Sequence, residues 1–129
     1  MITGFFCYKL RPDVDMEAYE ADAFRMYERV SGNPAFGFID LQSFSGPDGE
    51  NVLVARFESL EGIEAWRNDP EHLVTQERGR TEYFDSYWGG ELIRHWEFDR
   101  AAGRRELPER EERVATLRRQ TAATPHPAP

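Results

Sequence analysis

Residues 35–57 read AFGFIDLQSFSGPDGENVLVARF, and this stretch decides the fold. Its two outer runs, Ala35–Phe44 and Asn51–Phe57, are rich in aromatic and β-branched residues, a composition typical of β-strands. Between them lies Gly46-Pro47-Asp48-Gly49, which has the residues of a reverse turn. The stretch therefore predicts an antiparallel β-hairpin.

One strand and one helix are predicted before the hairpin. Ile2–Leu10 is rich in aromatic and aliphatic residues and is followed by Arg11-Pro12-Asp13, so we expect a strand that stops there. Asp13 suits a helix N-cap, and apolar residues recur at three- and four-residue intervals from Val14 to Val30. This spacing predicts an amphipathic helix, which Ser31-Gly32-Asn33-Pro34 ends.

After the hairpin, the pattern predicts a second helical region and a last strand. Ser59 can cap a short helix, and Asp69-Pro70 restarts the helix with an N-cap residue and a proline at its first position. We expect this second piece to run toward Tyr87. Gly89-Gly90 would then loosen the backbone before a strand over Glu91–Phe98.

The resulting order is strand, helix, strand, strand, helix, strand. This order is typical of the ferredoxin-like α+β fold, a βαββαβ unit with a four-stranded antiparallel sheet and both helices on one face. The other face would expose large side chains, more than a monomer normally leaves as one patch. They are drawn from Phe5, Phe6, Tyr8, Phe36, Phe38, Phe44, Trp96 and Phe98. We therefore expect a homodimer, a dimeric α/β barrel, joined through the sheet faces.

Length and charge limit the class of protein. The chain has 129 residues, a formal net charge of −8 and 13% aromatic residues. These values predict one folded domain whose acidic surface repels phosphates and anionic lipid headgroups, so no nucleic acid or membrane partner is expected. The single cysteine, and the lack of a signal-peptide pattern or an apolar run of membrane-span length, favour a cytoplasmic protein.

The composition changes at about residue 98. Residues 1–98 carry 9 basic and 19 acidic side chains, whereas residues 99–129 carry 7 and 5, and Phe98 is the last aromatic residue. We expect the folded domain to cover 1–98 and an extension to cover 99–129. Within the extension, Arg104–Gln120 has the composition of a short helix, and the Pro-rich end from Thr121 predicts disorder.

The sequence offers no pattern for a cofactor or a metal ion. The glycines at 46–49 belong to a hairpin turn, and Gly89-Gly90 does not precede a helix, so no phosphate-binding loop is predicted. His72, His95 and His126 lack the spacing of metal ligands. Cys7 lies in an aromatic strand, which favours a buried packing role over nucleophilic catalysis.

The remaining candidate site is an aromatic-lined pocket near the helix break at Pro70. Trp66, Asn68 and His72 flank this break. A small molecule bound at the irregular turn could contact both the backbone and several side chains. Each also has a structural alternative: Trp66 as a core residue, and His72 as part of the cap after Asp69. A neutral histidine near a helix N-terminus could act as acid or base near pH 7.

Other polar and aromatic residues could belong to the pocket or only to the packing. Those considered from the helix faces are Tyr19, Tyr27, Tyr83 and Tyr87. Arg56 and Asp40 are charges on central strands, so we expect them to pair with each other or with Arg94.

The run WRNDPEHLVTQERGR, Trp66–Arg80, resembles the antibiotic biosynthesis monooxygenase family of dimeric α/β-barrel proteins. The resemblance extends over about residues 1–98 and implies a ferredoxin-like protomer that dimerises through its sheet. Members of this family include enzymes that oxidise polycyclic aromatic phenols to quinones with O2 and no flavin, metal or nicotinamide. The resemblance thus implies a cofactor-independent monooxygenase acting on an aromatic polyketide-like phenol in secondary metabolism.

The resemblance also implies roles for individual residues. It assigns Trp66, Asn68 and His72 to catalysis and Arg56 or Arg94 to charge stabilisation. Their position on the helix faces, and not the resemblance, makes Tyr19, Tyr27 and Tyr83 candidates for contact with the substrate.

Three other functions stay open within the same fold. A haem-degrading branch carries its iron ligand later on the second helix, near Thr75–Glu77, where this chain has no histidine. Cyclases or isomerases, and a non-catalytic dimer that binds a small molecule, share the architecture as well.

Overall fold

A computed structural model describes residues 1–107 of the chain. In chain order the elements are β1 (Ile2–Leu10), α1 (Met16–Gly32), a 3-10 turn (Pro34–Phe36), β2 (Phe38–Ser45), β3 (Asn51–Phe57), α2 (Leu60–Arg67), α3 (Pro70–Arg78), a π-helical turn (Gly79–Tyr83), β4 (Phe84–Leu92), β5 (Trp96–Asp99) and β6 (Gly103–Glu106). Strands β1 to β4 form one antiparallel sheet in the order β2-β3-β1-β4, and β5 pairs with β6 in a separate two-stranded sheet. The predicted ferredoxin-like α+β fold is confirmed.

The β2–β3 hairpin forms where the sequence predicts it. Phe44 lies opposite Val52, and Phe57 of the same hairpin lies opposite Ile2 of β1. Helix α1 begins two residues later than predicted, because Asp15 and not Asp13 caps it: the Asp15 carboxylate accepts a hydrogen bond from the Ala18 N–H at 3.1 Å. Asp13 instead pairs with Arg11 at 3.2 Å.

The second half of the chain differs from the expected boundaries. Helix α3 ends at Arg78, and the last strand of the sheet is Phe84–Leu92 rather than Glu91–Phe98. Gly89-Gly90 lies inside this strand: a Cβ on Gly89 would fall 2.5 Å from the Phe5 carbonyl oxygen. The two glycines therefore permit close approach to β1 and do not form a loop.

The predicted domain limit at residue 98 falls inside the β5–β6 hairpin, in which Phe98 lies opposite Arg104. Arg104–Glu106 is strand, so the predicted helix does not begin at Arg104. The rest of that prediction, and the predicted disordered end, lie outside the described residues.

The helices cover one face of the sheet, and two aromatic-rich clusters form beneath them. One contains Ile2, Val30, Phe36, Phe57 and Ile63, and the other contains Tyr8, Tyr19 and Tyr83. Ile2 and Tyr8 are both on β1, so the clusters are about 20 Å apart along the strand. Side chains alternate between the two sides of a strand, so Gly4 and Phe6 point to the space between the clusters.

The sheet side chains that point away from the helices form what we call the open face. Its apolar members include Phe5, Phe44, Val52, Val54 and Trp88, as the strand register requires. Four of the eight residues expected on this face, Phe6, Tyr8, Phe36 and Phe38, instead pack on the helix side. Trp96 and Phe98 are exposed, but on the β5–β6 hairpin.

The hairpin contacts one end of the open face: Leu107 packs on Met1 and Ile39, and the His95 ring bonds the Thr3 hydroxyl at 2.6 Å. Among residues 1–107, no helix has the length and apolar character needed to cross a membrane.

Candidate functional site

A cavity of about 680 Å³ lies between the helices and the sheet. It occupies the space between the two clusters, and β1 and β3 contribute Gly4, Phe6, Leu53 and Ala55 to its wall. Ile63 of α2 packs directly over Gly4, since a Cβ on Gly4 would fall 3.1 Å from Ile63 Cδ1. Ala55 contributes only a methyl group to the cavity wall. The volume is within the range of small-molecule sites, about 300–1,000 Å³.

His72 enters this cavity from the first turn of α3. Asp69 is the N-cap of that helix and accepts a hydrogen bond from the His72 N–H at 3.1 Å, and Pro70 supplies the preset first position. The imidazole Nδ1 lies 2.8 Å from the Trp66 carbonyl oxygen. A carbonyl can only accept, so Nδ1 carries the hydrogen and Nε2 keeps its lone pair. The Gln76 amide nitrogen, 3.3 Å from Nδ1, then donates to the Arg67 carbonyl oxygen at 3.1 Å and not to the imidazole.

The surroundings of His72 favour the neutral imidazole. Burial lowers its pKa from the usual 6.5, while the hydrogen bond to the Trp66 carbonyl and the charge of Asp69 act in the opposite direction. The ring is therefore mostly neutral at pH 7. A neutral imidazole with Nε2 unprotonated can accept a proton from a bound acid.

Trp66 packs against the core cluster and also lines the cavity. Its ring stacks on His72 with centroids 3.9 Å apart and 13° between the planes, and meets Phe36 edge-on at 5.2 Å. The stacking holds the imidazole plane fixed on the cavity wall. His72 belongs to the capped turn through its backbone N–H and is also a residue of the cavity wall.

The tyrosines considered from the sequence, Tyr19, Tyr27, Tyr83 and Tyr87, all line the cavity. The Tyr19 hydroxyl lies 2.8 Å from that of Tyr8, and the Tyr83 hydroxyl donates to Asp22 at 2.5 Å. Burial and then the Asp22 carboxylate raise the pKa of Tyr83 to about 12, and burial raises that of Tyr19. Both phenols therefore stay protonated at neutral pH.

The structure also adds residues that the sequence reasoning missed. Asp22 lines the cavity and is only 3% exposed, held by Arg25 at 2.8 Å and Arg78 at 2.9 Å. A signal for it exists: Asp22 is three residues after Tyr19 and four before Met26, which puts a charge on the apolar face of α1.

The remaining polar wall of the cavity comes from α2, α3, the π-helical turn and β4. These residues are Arg67, Thr75, Gln76, Arg80 and Glu91. Arg67 pairs with Glu91 across the opening between α2 and β4, and Arg80 pairs with Glu77 at 2.7 Å. The charged groups on the wall are thus paired within the protein, which favours a neutral ligand.

Three residues assigned by the resemblance lie elsewhere. The Asn68 side chain is exposed and donates to the Glu64 carbonyl oxygen at 2.9 Å, as a C-cap of α2. Arg56 lies opposite Thr3 and so belongs to the open face, where it binds Asp40 at 2.6 Å as predicted. Arg94 is exposed and pairs with Glu106 at 2.7 Å. The cavity wall contains none of the three.

Within residues 1–107, no group of three or more His, Cys, Asp and Glu side chains is placed to hold a metal ion. Cys7 is buried on the open face, and His126 lies outside the described residues.

The fold and the cavity define a ferredoxin-like α+β protein with a small-molecule-sized cavity between its helices and sheet. Its fold is similar to that of Rv0793 from Mycobacterium tuberculosis, with a TM-score of 0.60, 20% identity, and coverage of 78% of this chain and 98% of Rv0793. A protein from Nitrosomonas europaea, provisionally named an antibiotic biosynthesis monooxygenase, has a TM-score of 0.59 at 14% identity and covers 72% of this chain and 97% of its own.

A dimeric ferredoxin-like protein of unknown function from Thermobifida fusca has a TM-score of 0.55 at 10% identity, over 71% of this chain and 89% of its own. In sequence, the chain is 32% identical over 69 residues to the uncharacterized protein YqjZ of Bacillus subtilis strain 168, which is 54% of this chain and 59% of YqjZ. The chain thus spans less than two thirds of this curated relative. No family model matches.

Proposed function

We propose that this protein is a cofactor-independent monooxygenase that oxidises an aromatic, polyketide-like phenol with O2, and that His72 is its catalytic base. The observation that carries the proposal is the imidazole of His72, a residue of the aromatic cavity wall, whose Nδ1 lies 2.8 Å from the Trp66 carbonyl oxygen; this contact leaves Nε2 as the basic nitrogen. The fold, shared with a protein provisionally named an antibiotic biosynthesis monooxygenase, supports the same assignment.

The chemistry needs a base and a dry cavity more than it needs a cofactor. Nε2 of His72 takes one proton from the substrate, and the resulting electron-rich anion passes electrons to O2 and forms a C–O bond. The peroxide anion takes that proton back from His72 and becomes a hydroperoxide. Loss of the second ring hydrogen and cleavage of the O–O bond then give a quinone and water. For anthrone, the balance is anthrone plus O2 to anthraquinone plus water.

The test is O2 uptake by the purified, metal-stripped chain with anthrone as the probe, with anthraquinone measured by chromatography. We expect uptake and quinone formation in equal amounts, above the rate without protein. Uptake that requires added iron or haem would overturn the cofactor-independent assignment. Consumption of anthrone without O2 would favour a cyclase or isomerase.

Binding assays resolve the case in which no turnover is seen. Quenching of tryptophan fluorescence by anthrone without turnover would favour a non-catalytic binding protein. A Soret band on titration with hemin that is lost in His72→Ala would favour haem binding. Either result would contradict the monooxygenase assignment.

We also propose that the protein is a homodimer joined through the open face. The open face carries Phe44 at 54% and Trp88 at 57% exposure, beside Phe5, Val52 and Val54. A contiguous patch of this many exposed apolar side chains is uncommon on a monomer. The Thermobifida fusca protein of this fold is described as dimeric, which supports the same arrangement.

Sedimentation equilibrium should give twice the 15.0 kDa chain mass for the wild type. Trp88→Glu is expected to give the single-chain mass, because a carboxylate on the open face of strand β4 would have to be buried unpaired in the dimer. Phe24→Glu is the matched control, since Phe24 is 54% exposed on α1, on the other side of the sheet. A wild-type protein that is monomeric at micromolar concentration would contradict the proposal.

A further inference from the structure

We infer that Arg29 and Asp69 are positioning residues for His72: together they fix the turn that carries the imidazole and set how readily Nε2 takes a proton. Their positioning role rests on the proposed function of His72. The contacts between Arg29, Asp69 and His72 are observed in the structure whatever that function is. Neither residue lines the cavity, and no feature of the sequence alone connects them, because they are 40 positions apart on different helices.

The geometry ties one carboxylate to both partners. Arg29 of α1 donates two hydrogen bonds to Asp69, from Nε to Oδ2 at 2.7 Å and from Nη2 to Oδ1 at 2.7 Å. The same Oδ2 accepts the His72 N–H at 3.1 Å. A bidentate guanidinium–carboxylate pair is directional as well as strong, so α1 fixes the first turn of α3 through this one side chain.

Burial makes the pair electrostatically relevant to His72. The Asp69 side chain is 6% exposed and that of Arg29 is 35% exposed. The hydrogen bonds from Arg29 hold the pKa of Asp69 below its usual range, so the carboxylate is ionised at neutral pH. A negative charge beside the imidazole favours its protonated form, and Arg29 offsets part of that effect because it carries the opposite charge.

The other charged groups around His72 are already paired. Glu71 of α3 contacts Arg29 at 3.4 Å, Arg67 of α2 pairs with Glu91 of β4, and Arg80 of the π-helical turn pairs with Glu77. Asp22 of α1 is held between Arg25 and Arg78. Opposite charges in contact largely cancel at a distance, so the Arg29–Asp69 pair, which is bonded directly to the turn, has the strongest influence on the imidazole.

Substitutions of Asp69 and of Arg29 are expected to shift the titration midpoint of His72 in opposite directions. Asp69→Asn keeps a residue that can cap α3 but removes the negative charge, so the titration midpoint of His72 should fall by about half a pH unit. Arg29→Gln leaves the Asp69 charge unbalanced, so the midpoint should rise by about the same amount. Arg29→Lys keeps the charge, and its midpoint should stay near that of the wild type.

The measurement is an NMR titration of the histidine ring protons in the full chain without substrate, with His72 assigned by the signal missing in His72→Gln. Asp40→Asn is the matched control, because Asp40 is 5% exposed and bound to an arginine at 2.6 Å, but on the open face. It removes an equally buried carboxylate and should leave the His72 midpoint unchanged.

A His72 titration midpoint that is unchanged in both Asp69→Asn and Arg29→Gln, or that moves in the same direction in both, would overturn the inference. The pair would then have a structural role only. If Asp69→Asn does not fold, a difference between Arg29→Gln and Arg29→Lys decides the question. Because no substrate is present, the result is independent of whether anthrone is oxidised. If it is oxidised, the pH profile of kcat should shift in parallel with the midpoint.

Discussion

Replacing His72 with glutamine is expected to lower kcat for anthrone oxidation by about 10²- to 10⁴-fold, the range for loss of a general base. Glutamine retains a donor for the Trp66 carbonyl oxygen, which His72 binds at 2.8 Å, but it has no basic nitrogen. The effect should therefore be on kcat rather than on KM. Steady-state O2 uptake over a range of anthrone concentrations measures both.

The pH profile gives an independent signature of the same prediction. Burial holds the pKa of His72 below 6.5, and only the neutral ring can accept a proton, so wild-type kcat should rise with pH through that pKa and level off by pH 7. His72→Gln should lose this dependence. His95→Gln is the control, because His95 binds Thr3 on the open face. Activity of His72→Gln within about threefold of wild type would show that another group is the base.

Phe57→Ala is expected to reduce the free energy of unfolding by about 3–5 kcal/mol, the usual cost of truncating a buried phenylalanine. Phe57 is 3% exposed, and its ring meets Phe38 edge-on at 5.8 Å. It lies opposite both Ile2 and Phe38, so it joins three strands of the sheet. Its loss would remove apolar contacts from all three and leave a cavity in the core.

Urea denaturation at a fixed protein concentration measures this loss, because the stability of a dimer depends on concentration. Phe24→Ala is the matched control: it makes the same change in chemistry at a site on α1 that is 54% exposed. A change within about 0.5 kcal/mol is expected there. Equal effects of the two substitutions would contradict the assignment of Phe57 to the core.

Local patterns predicted those elements whose signals lie within the element itself. The β2–β3 hairpin follows from its turn residues, and α1 follows from the spacing of its apolar residues. The last strand of the sheet begins at Phe84, earlier than the predicted Glu91, because Gly89-Gly90 has the composition of a loop. Only the pairing with Phe5 and Phe6 of β1 shows that these glycines are needed where two backbones approach.

The candidate site likewise contains some residues that local sequence places correctly and others that it does not. Trp66 and His72 were predicted on the two sides of the Pro70 break, and they do meet, because a helix restart brings neighbouring residues together. Asn68 belongs to the same short segment, but its amide bonds the Glu64 carbonyl at the surface. Arg56 was assigned to the site, but the register of β3 with β1 puts it on the opposite face.

The sequence by itself determined the fold class, the order of β1, α1, β2 and β3, and the histidine at the start of α3, because turn residues, caps and apolar spacing act over a few neighbouring positions. The tertiary structure decided which side chains share the cavity, since strand register sets the face on which a residue lies and helix packing sets its partners. It alone brought Arg29 to Asp69, 40 residues apart, and Asp22 to Tyr83, 61 residues apart. Contacts at that separation depend on how the helices pack on the sheet, which no local pattern records.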